Sequence, residues 1–190
     1  MTVEPTELPE VLLIEPRVFG DSRGYFFEAF NALRYREAGI EWPFVQDNVS
    51  FSSGGVVRGL HYQWPSAQDK LIQVLDGAIL DVAVDVRLGS PRFGKWIGRV
   101  LSSENHRQLF IPVGFAHGFA VIGDRALVSY KCSTPYDPAN EVTVLWSDPE
   151  IGVEWGIDSP TVSAKDQAGL SLAAVPPDRL PTLDPLKNRH

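Results

Sequence analysis

Residues 78–87 read Ala-Ile-Leu-Asp-Val-Ala-Val-Asp-Val-Arg (AILDVAVDVR). Leu80, Val82, Val84 and Val86 fall on one side of a period-two pattern. Asp81, Ala83, Asp85 and Arg87 fall on the other. Side chains alternate faces in a strand, so this stretch reads as β structure. Similar β-type runs lie before it at 11–14, 25–30, 44–52, 56–63 and 70–75, and after it at 95–101, 107–111, 115–122 and 126–132. Most are separated by turn chemistry: Gly54-Gly55, Asp76-Gly77, Gly89-Ser90-Pro91, Pro112-Val113-Gly114 and Gly123-Asp124. One short helix is predicted at about 32–38, with Asn31 as its N-cap and Gly39 beyond its end. The stretch 173–186 holds four prolines, so it is expected to wrap the surface rather than form a long helix. Many short strands with few helices predict an all-β sandwich or barrel.

At 190 residues the chain is expected to form a single domain, 1–190, with room for a sizeable core. Hydrophobic residues at 44% and charged residues at 22% place it among globular proteins. The net charge of −7 and the lack of a basic run argue against nucleic-acid binding. An acidic total still permits an anionic ligand, because a few Arg and Lys in a cleft set the local field. The single Cys132 has no disulfide partner and reads as a small buried hydrophobe. The start MTVEPTELPE lacks the charged and apolar regions of a signal peptide, and no run approaches eighteen apolar residues. A cytoplasmic location without membrane contact is the expectation.

The densest polar cluster within strand-like sequence is Gln46-Asp47-Asn48, then Arg58-Gly59-Leu60-His61-Tyr62-Gln63, then Lys70. Strands carrying such groups line a wet cavity or face solvent, since polar groups are costly to bury unpaired. His61 alone reads as a structural histidine or a catalytic one. Arg58 and Lys70 nearby disfavour its charged form and favour a neutral imidazole fit to act as a base. Strict alternation puts Arg58 and His61 on opposite faces, so a shared cavity requires an irregular strand. Gly59 predicts a bulge. Metal binding is not expected: the spacing is His61-X-Gln63 rather than His-X-His, and no carboxylate or Cys completes a ligand set.

In Gly114-Phe115-Ala116-His117-Gly118-Phe119, small residues around a His suit either close backbone approach to a ligand or a tightly packed strand. Tyr130 and Tyr136 flank a strand end and its turn, where tyrosines serve more often as packing than as acids. Arg23, within Asp21–Glu28, is suited to clamping an anion or to pairing with Glu28 across a turn. Ser163-Ala164-Lys165-Asp166 reads in isolation as a solvated ion pair.

Taken in order, these segments closely resemble the dTDP-4-dehydrorhamnose 3,5-epimerase family of deoxysugar biosynthesis. The matching stretches are DSRGYFFEAF (21–30), QDNVS (46–50), RGLHYQ (58–63), Lys70-Leu71, 77–87, SPRFGKW (90–96), IPVGFAHGF (111–119), YKCSTPY (130–136), Glu141, WSDP (146–149) and SAKD (163–166). Trp155-Gly156 departs from the Trp-Pro often seen there. The resemblance implies a homodimeric cupin-type jelly-roll barrel acting on a dTDP-4-keto-6-deoxysugar with no metal or organic cofactor. It implies His61 as base, Tyr130 as acid, Asp166 holding the imidazole tautomer and Lys70 stabilising an enolate. It further implies Arg23, Arg58, His117 and Lys165 at the diphosphate and sugar, Gln46, Asn48, Glu28 and Glu141 at other polar groups, and Tyr136 stacked on thymine. Three other outcomes on the same fold stand beside it. They are a single-centre (3- or 5-) epimerase or 3,4-ketoisomerase, a non-catalytic sugar-nucleotide binder, and a metal-dependent cupin enzyme. For dimerisation, the apolar run Val11–Ile14 offers an edge to a partner's sheet.

Overall fold

The computed structural model describes residues 1–41 and 43–183. Its strands are β1 (Thr2–Pro5), β2 (Leu12–Glu15), β3 (Val18–Asp21), β4 (Gly24–Phe27), β5 (Gln46–Ser53), β6 (Val57–Gln63), β7 (Lys70–Asp85), β8 (Trp96–Ser102), β9 (Gln108–Ile111), β10 (Phe115–Cys132) and β11 (Glu141–Thr143). Helix α1 (Ala32–Glu37) and the single turn α2 (Ala164–Gln167) are peripheral. Asn31 caps α1 by accepting from the Leu33 and Arg34 amides.

Two long antiparallel strands organise the sheet. Neighbours run β1-β2-β9-β7-β10-β6-β11, with β8 also on β7 and β5 also on β10. The first half of β7 pairs with β9 and its second half with β8. Likewise β10 pairs with β6 through His117–Ala120 and with β5 through Arg125–Cys132. Each long strand therefore belongs to two layers, β1-β2-β9-β7-β10-β5 and β8-β7-β10-β6-β11, and the sheet folds on itself as a jelly roll. The crossing lies at Gly77 and at the register shift between Ile122 and Ala126. Gly77 has φ +80, and a Cβ there would sit 2.0 Å from the Arg125 carbonyl oxygen. The sequence runs 70–75 and 78–87, and likewise 115–122 and 126–132, are thus single bent strands. The Gly-containing breaks between them are bends, not chain reversals.

The alternation at 78–87 holds, but neither side faces water. Leu80, Val82, Val84 and Val86 pack with Val57, Leu60, Tyr62 and Val144. Trp155, Leu172, Val175 and Leu180 of the C-terminal segment cover that face. The prolines of this segment allow two short 3-10 turns, Leu172–Ala174 and Pro177–Arg179. The stretch 173–183 wraps the surface as expected and anchors itself by turning Val175 and Leu180 into the core, while Leu183 is exposed; residues 184–186 of it lie outside the described residues. On the other side, Ile79 and Ala83 join the inter-layer core with Ile72, Leu109, Phe115, Phe119 and Val128. Asp81 and Asp85 are fully buried among them. Asp85 is satisfied by Arg87 at 2.7 Å and Ser90 at 2.6 Å. Among the described residues no helix is long and apolar enough to cross a membrane.

Val11 and Ile14 are fully buried, and β2 lies between β1 and β9, so this strand offers no edge. The outermost strand on that side is β1. The two-stranded hairpin β3–β4 stands apart from the main sheet and exposes Phe19, Tyr25 and Phe26.

Candidate active site

A cavity of about 680 Å³ opens between the layers, lined by residues of β5, β6, β7, β10, β11 and α2. It collects Gln46, Asn48, Arg58, His61, Lys70, His117, Tyr130, Tyr136, Glu141, Lys165 and Asp166.

Local backbone geometry brings Arg58 and His61 to the same cavity. On β10, His117 pairs with His61 and Phe119 with Arg58, so two steps on β10 match three on β6. The extra residue is the bulge expected at Gly59. Gly59 has φ +123, and a Cβ on it would lie 2.5 Å from the Gly118 Cα. Neither glycine tolerates a side chain toward the other. The sequence Arg-Gly-Leu-His opposite His-Gly-Phe thus reads as one packing unit.

His61 is anchored through Nε2, 2.6 Å from Asp166 Oδ1. Ser163, extended at the N-cap of α2, accepts from the Asp166 amide and turns that carboxylate inward. Burial alone would raise the Asp166 pKa. The His61 hydrogen bond, the Gly59 N–H and the Ser163 hydroxyl outweigh it and hold the acid below the usual range. A carboxylate on Nε2 places the ring proton there and leaves Nδ1 as an acceptor. The sequence Lys165-Asp166 is therefore no surface pair. Asp166 is 3% exposed and serves His61, while Lys165 reaches Glu141 at 2.6 Å.

Tyr130 and Lys70 come from the opposite layer. Lys70 opens β7 and stands across from Cys132, two residues beyond Tyr130 on β10. Among the described residues the Lys70 ammonium has one hydrogen bond, to the His61 carbonyl at 3.4 Å. Burial pushes its pKa down, with Cys132, Glu141 and Asp81 opposing. Burial pushes the Tyr130 phenol up, keeping it a proton donor. An oriented imidazole, a protonated phenol and an under-coordinated ammonium in one cavity suit proton transfer beside a carbonyl.

At the mouth, Arg58 donates to Ser52 at 2.9 Å and to the Phe51 carbonyl, and meets no carboxylate among the described residues. Glu141 accepts from Tyr136 at 2.8 Å as well as from Lys165. Gln46 donates to Asn48 and accepts the Tyr136 amide.

Two candidates do not join this cavity in the protomer. Arg23 neither clamps an anion here nor pairs with Glu28. It binds Asp21 at 2.6 Å on the β3–β4 hairpin, and Glu28 binds Arg34 at 2.9 Å. Turn geometry explains the difference: Asp21 pairs with Gly24, and Arg23 sits in the two-residue tip between them, so it meets Asp21 first. The cavity also includes Gln68, Cys132 and Ser163, which the sequence reading did not place there. Cys132 alternates with Tyr130 on one strand face, a signal present in the sequence. Gln68 lies in the irregular link before β7 and carried none. Among the described residues no group of three or more His, Cys, Asp or Glu side chains is arranged to hold a metal ion.

A jelly-roll barrel around this cavity has the cupin-type fold, with side chains suited to acid–base chemistry. A family model described as dTDP-4-dehydrorhamnose 3,5-epimerase matches residues 5–174. The enzyme of that name from Shigella flexneri is 53% identical over 171 residues, 89% of this chain and 94% of that protein. The crystal structure of dTDP-6-deoxy-D-glucose-3,5-epimerase from Legionella pneumophila in complex with dTDP-4-keto-L-rhamnose superposes with a TM-score of 0.93. It is 46% identical and covers 95% of this chain and 97% of the other. A 3'-monoepimerase from Streptomyces bikiniensis in complex with dTDP-quinovose gives 0.88 at 36% identity, covering 94% and 92%. The chain belongs to the dTDP-4-dehydrorhamnose 3,5-epimerase family and is an isomerase with that 3,5-epimerase activity.

Proposed function

We propose that His61 and Tyr130 exchange protons at carbons 3 and 5 of dTDP-4-keto-6-deoxyglucose, giving dTDP-4-keto-rhamnose through enolate intermediates. The carbon-4 ketone acidifies both neighbouring C–H bonds. His61 Nδ1 takes a proton, the C–H electron pair becomes the enolate, and negative charge gathers on the carbonyl oxygen. Lys70 stabilises that oxygen, a contribution of about 3–4 kcal/mol for one well-placed donor. Tyr130 returns a proton to the opposite face, which inverts the centre. Solvent then reprotonates the phenolate and removes the proton from the imidazolium, so each inversion brings in one solvent hydrogen. Asp166 holds the reactive tautomer of His61.

The observation that carries this reading is the 2.6 Å His61–Asp166 contact inside a cavity that also holds Lys70 and Tyr130. Arg58, which meets no carboxylate among the described residues, and Lys165, held by Glu141, suit the substrate diphosphate. His117, Gln46, Asn48 and Glu141 suit sugar and base hydroxyl and carbonyl groups. The half-exposed Tyr136 suits stacking on thymine. Holding the remote nucleotide spends binding energy on orienting the reacting ring.

A homodimer completes the reading. The β3–β4 hairpin exposes Phe19, Tyr25 and Phe26, and the cavity rim exposes Val49 and Phe51. Exposed aromatic surface of this kind marks an interaction site. Laid over a partner's rim, the hairpin would bring Arg23 and Glu28 to the partner's ligand.

The test is incubation with dTDP-4-keto-6-deoxyglucose in deuterated water, read by proton NMR. Deuterium at both carbons with a rhamno product is expected, and His61→Ala should abolish incorporation at both. Label at a single carbon would replace the reading by a single-centre epimerase. No label at all would end it.

A further inference from the structure

Asp81 is fully buried on the central strand β7, and no step of the mechanism above uses it. One carboxylate oxygen lies 2.7 Å from His117 Nε2. The other is buried with no hydrogen-bond partner among the described residues. Arg99, directly opposite on β8, is turned to the Gly98 carbonyl and to Glu7 instead. A buried, half-satisfied carboxylate lowers stability, so the fold does not account for it.

His117 stands across from Ala83 and diagonal to Asp81, and the small alanine leaves the ring room to lean toward the acid. The ring lines the cavity, and its Nδ1 makes no hydrogen bond within the described residues. His117 is also the cross-strand neighbour of His61. The two histidines are built alike, each with a carboxylate on Nε2 and Nδ1 left over.

We propose that Asp81 is a positioning residue that holds His117 as its Nε2–H tautomer, so that Nδ1 presents a lone pair to a hydroxyl of the substrate sugar. This rests on the sugar-nucleotide reading of the cavity and adds the polarity of one contact. Burial pushes the His117 pKa down despite Asp81, which agrees with a neutral ring. A neutral acceptor attracts no phosphate. It selects a group that can donate, and among the sugar's ring substituents that is a hydroxyl. A buried acceptor facing an analogue without that hydroxyl is left unpaired, and such sites discriminate strongly.

The test uses Asp81→Asn, nearly isosteric but uncharged. In 15N-labelled wild-type protein, His117 is expected to show a pyridine-type Nδ1 and a pyrrole-type Nε2. In Asp81→Asn that preference is lost. The melting temperature should stay level or rise, while kcat/KM falls about 10- to 100-fold. Substrate analogues with single ring hydroxyls replaced by hydrogen are compared on both proteins. One analogue should cost the wild type a similar factor and cost Asp81→Asn nothing further. A pyrrole-type Nδ1 in the wild type overturns the proposal. So does wild-type kcat/KM in the variant, additive losses with every analogue, or a loss of activity that merely follows a fallen melting temperature. If wild-type protein shows no proton exchange, the reading beneath the proposal fails. The ring shifts, and calorimetric affinities for the same analogues, then still decide the role of Asp81.

Discussion

At the scale of single residues, the cavity trades stability for charge. Lys70 keeps an ammonium where burial opposes it, and among the described residues one 3.4 Å carbonyl contact is its hydrogen-bonded support. Lys70→Met is therefore expected to lower kcat about 100- to 1,000-fold while leaving the melting temperature level or higher. Steady-state kinetics and calorimetry check the two halves separately. The pH dependence follows in sign. The folded-state pKa of Lys70 lies below its ordinary 10.5, so between the two values the unfolded chain binds more protons. The contribution of this residue to stability rises with pH across that window, and Lys70→Met removes the rise. Activity is expected to move the other way, because the proposed enolate stabiliser would be lost as pH climbs through the lowered value. Tyr130 is shifted above its ordinary 10.0, so the alkaline limb of the kcat profile belongs first to Lys70. A limb unmoved in Lys70→Met would contradict this assignment.

At the scale of elements, the β6 bulge joins fold to chemistry. Without its extra residue, Arg58 and His61 would face opposite sides of the sheet, and Asp166 would have no Gly59 amide at 3.4 Å. Gly59→Ala places a Cβ against backbone atoms of Gly118 and His117 at a positive φ, with no flexible side chain to yield. We expect destabilisation of at least about 1–3 kcal/mol, the usual cost of such strained backbone. Proton exchange should fall further than the folded fraction does. Denaturant titration alongside the deuterium assay separates the two, and a variant with normal activity would show that the bulge does not set the site. The single turn α2 has a comparable role, since its cap at Ser163 aims the carboxylate that anchors His61.

At the scale of the whole molecule, the jelly roll sets residues of two layers around one cavity. His61 and His117 stand on neighbouring strands of one layer, and Lys70 and Tyr130 on neighbouring strands of the other. Such an arrangement suits chemistry that needs a base and an acid on opposite faces of a ring. Completion by a second chain is expected from the exposed hairpin. Sedimentation should give about twice the 21.0 kDa chain mass. Phe26→Asp, at a site 70% exposed in the protomer, should shift the protein to monomer and raise KM as Arg23 and Glu28 leave the partner's ligand. A Phe26→Asp protein that stays dimeric with unchanged KM would remove the hairpin from the interface.

What the sequence determined by itself was most of the strand content, the Asn31 cap, the need for irregularity at Gly59 and the polar cluster of Gln46, Asn48, Arg58, His61 and Lys70 that lines the cavity. These follow from local properties: alternation, capping chemistry and the cost of burying polar groups in strands. Contacts between distant segments decided the rest. Alternation at 78–87 separates two faces but cannot say that the Asp81 side is the barrel interior, because both faces are covered only once β10 and the C-terminal segment pack. Lys165-Asp166 reads as a surface pair until α2 docks on β6, when Asp166 turns to a histidine 105 residues away. Asp21 outcompetes Glu28 for Arg23 because a tight turn brings near neighbours together first. Pairing across such separations depends on layer geometry, and no short window of residues encodes it.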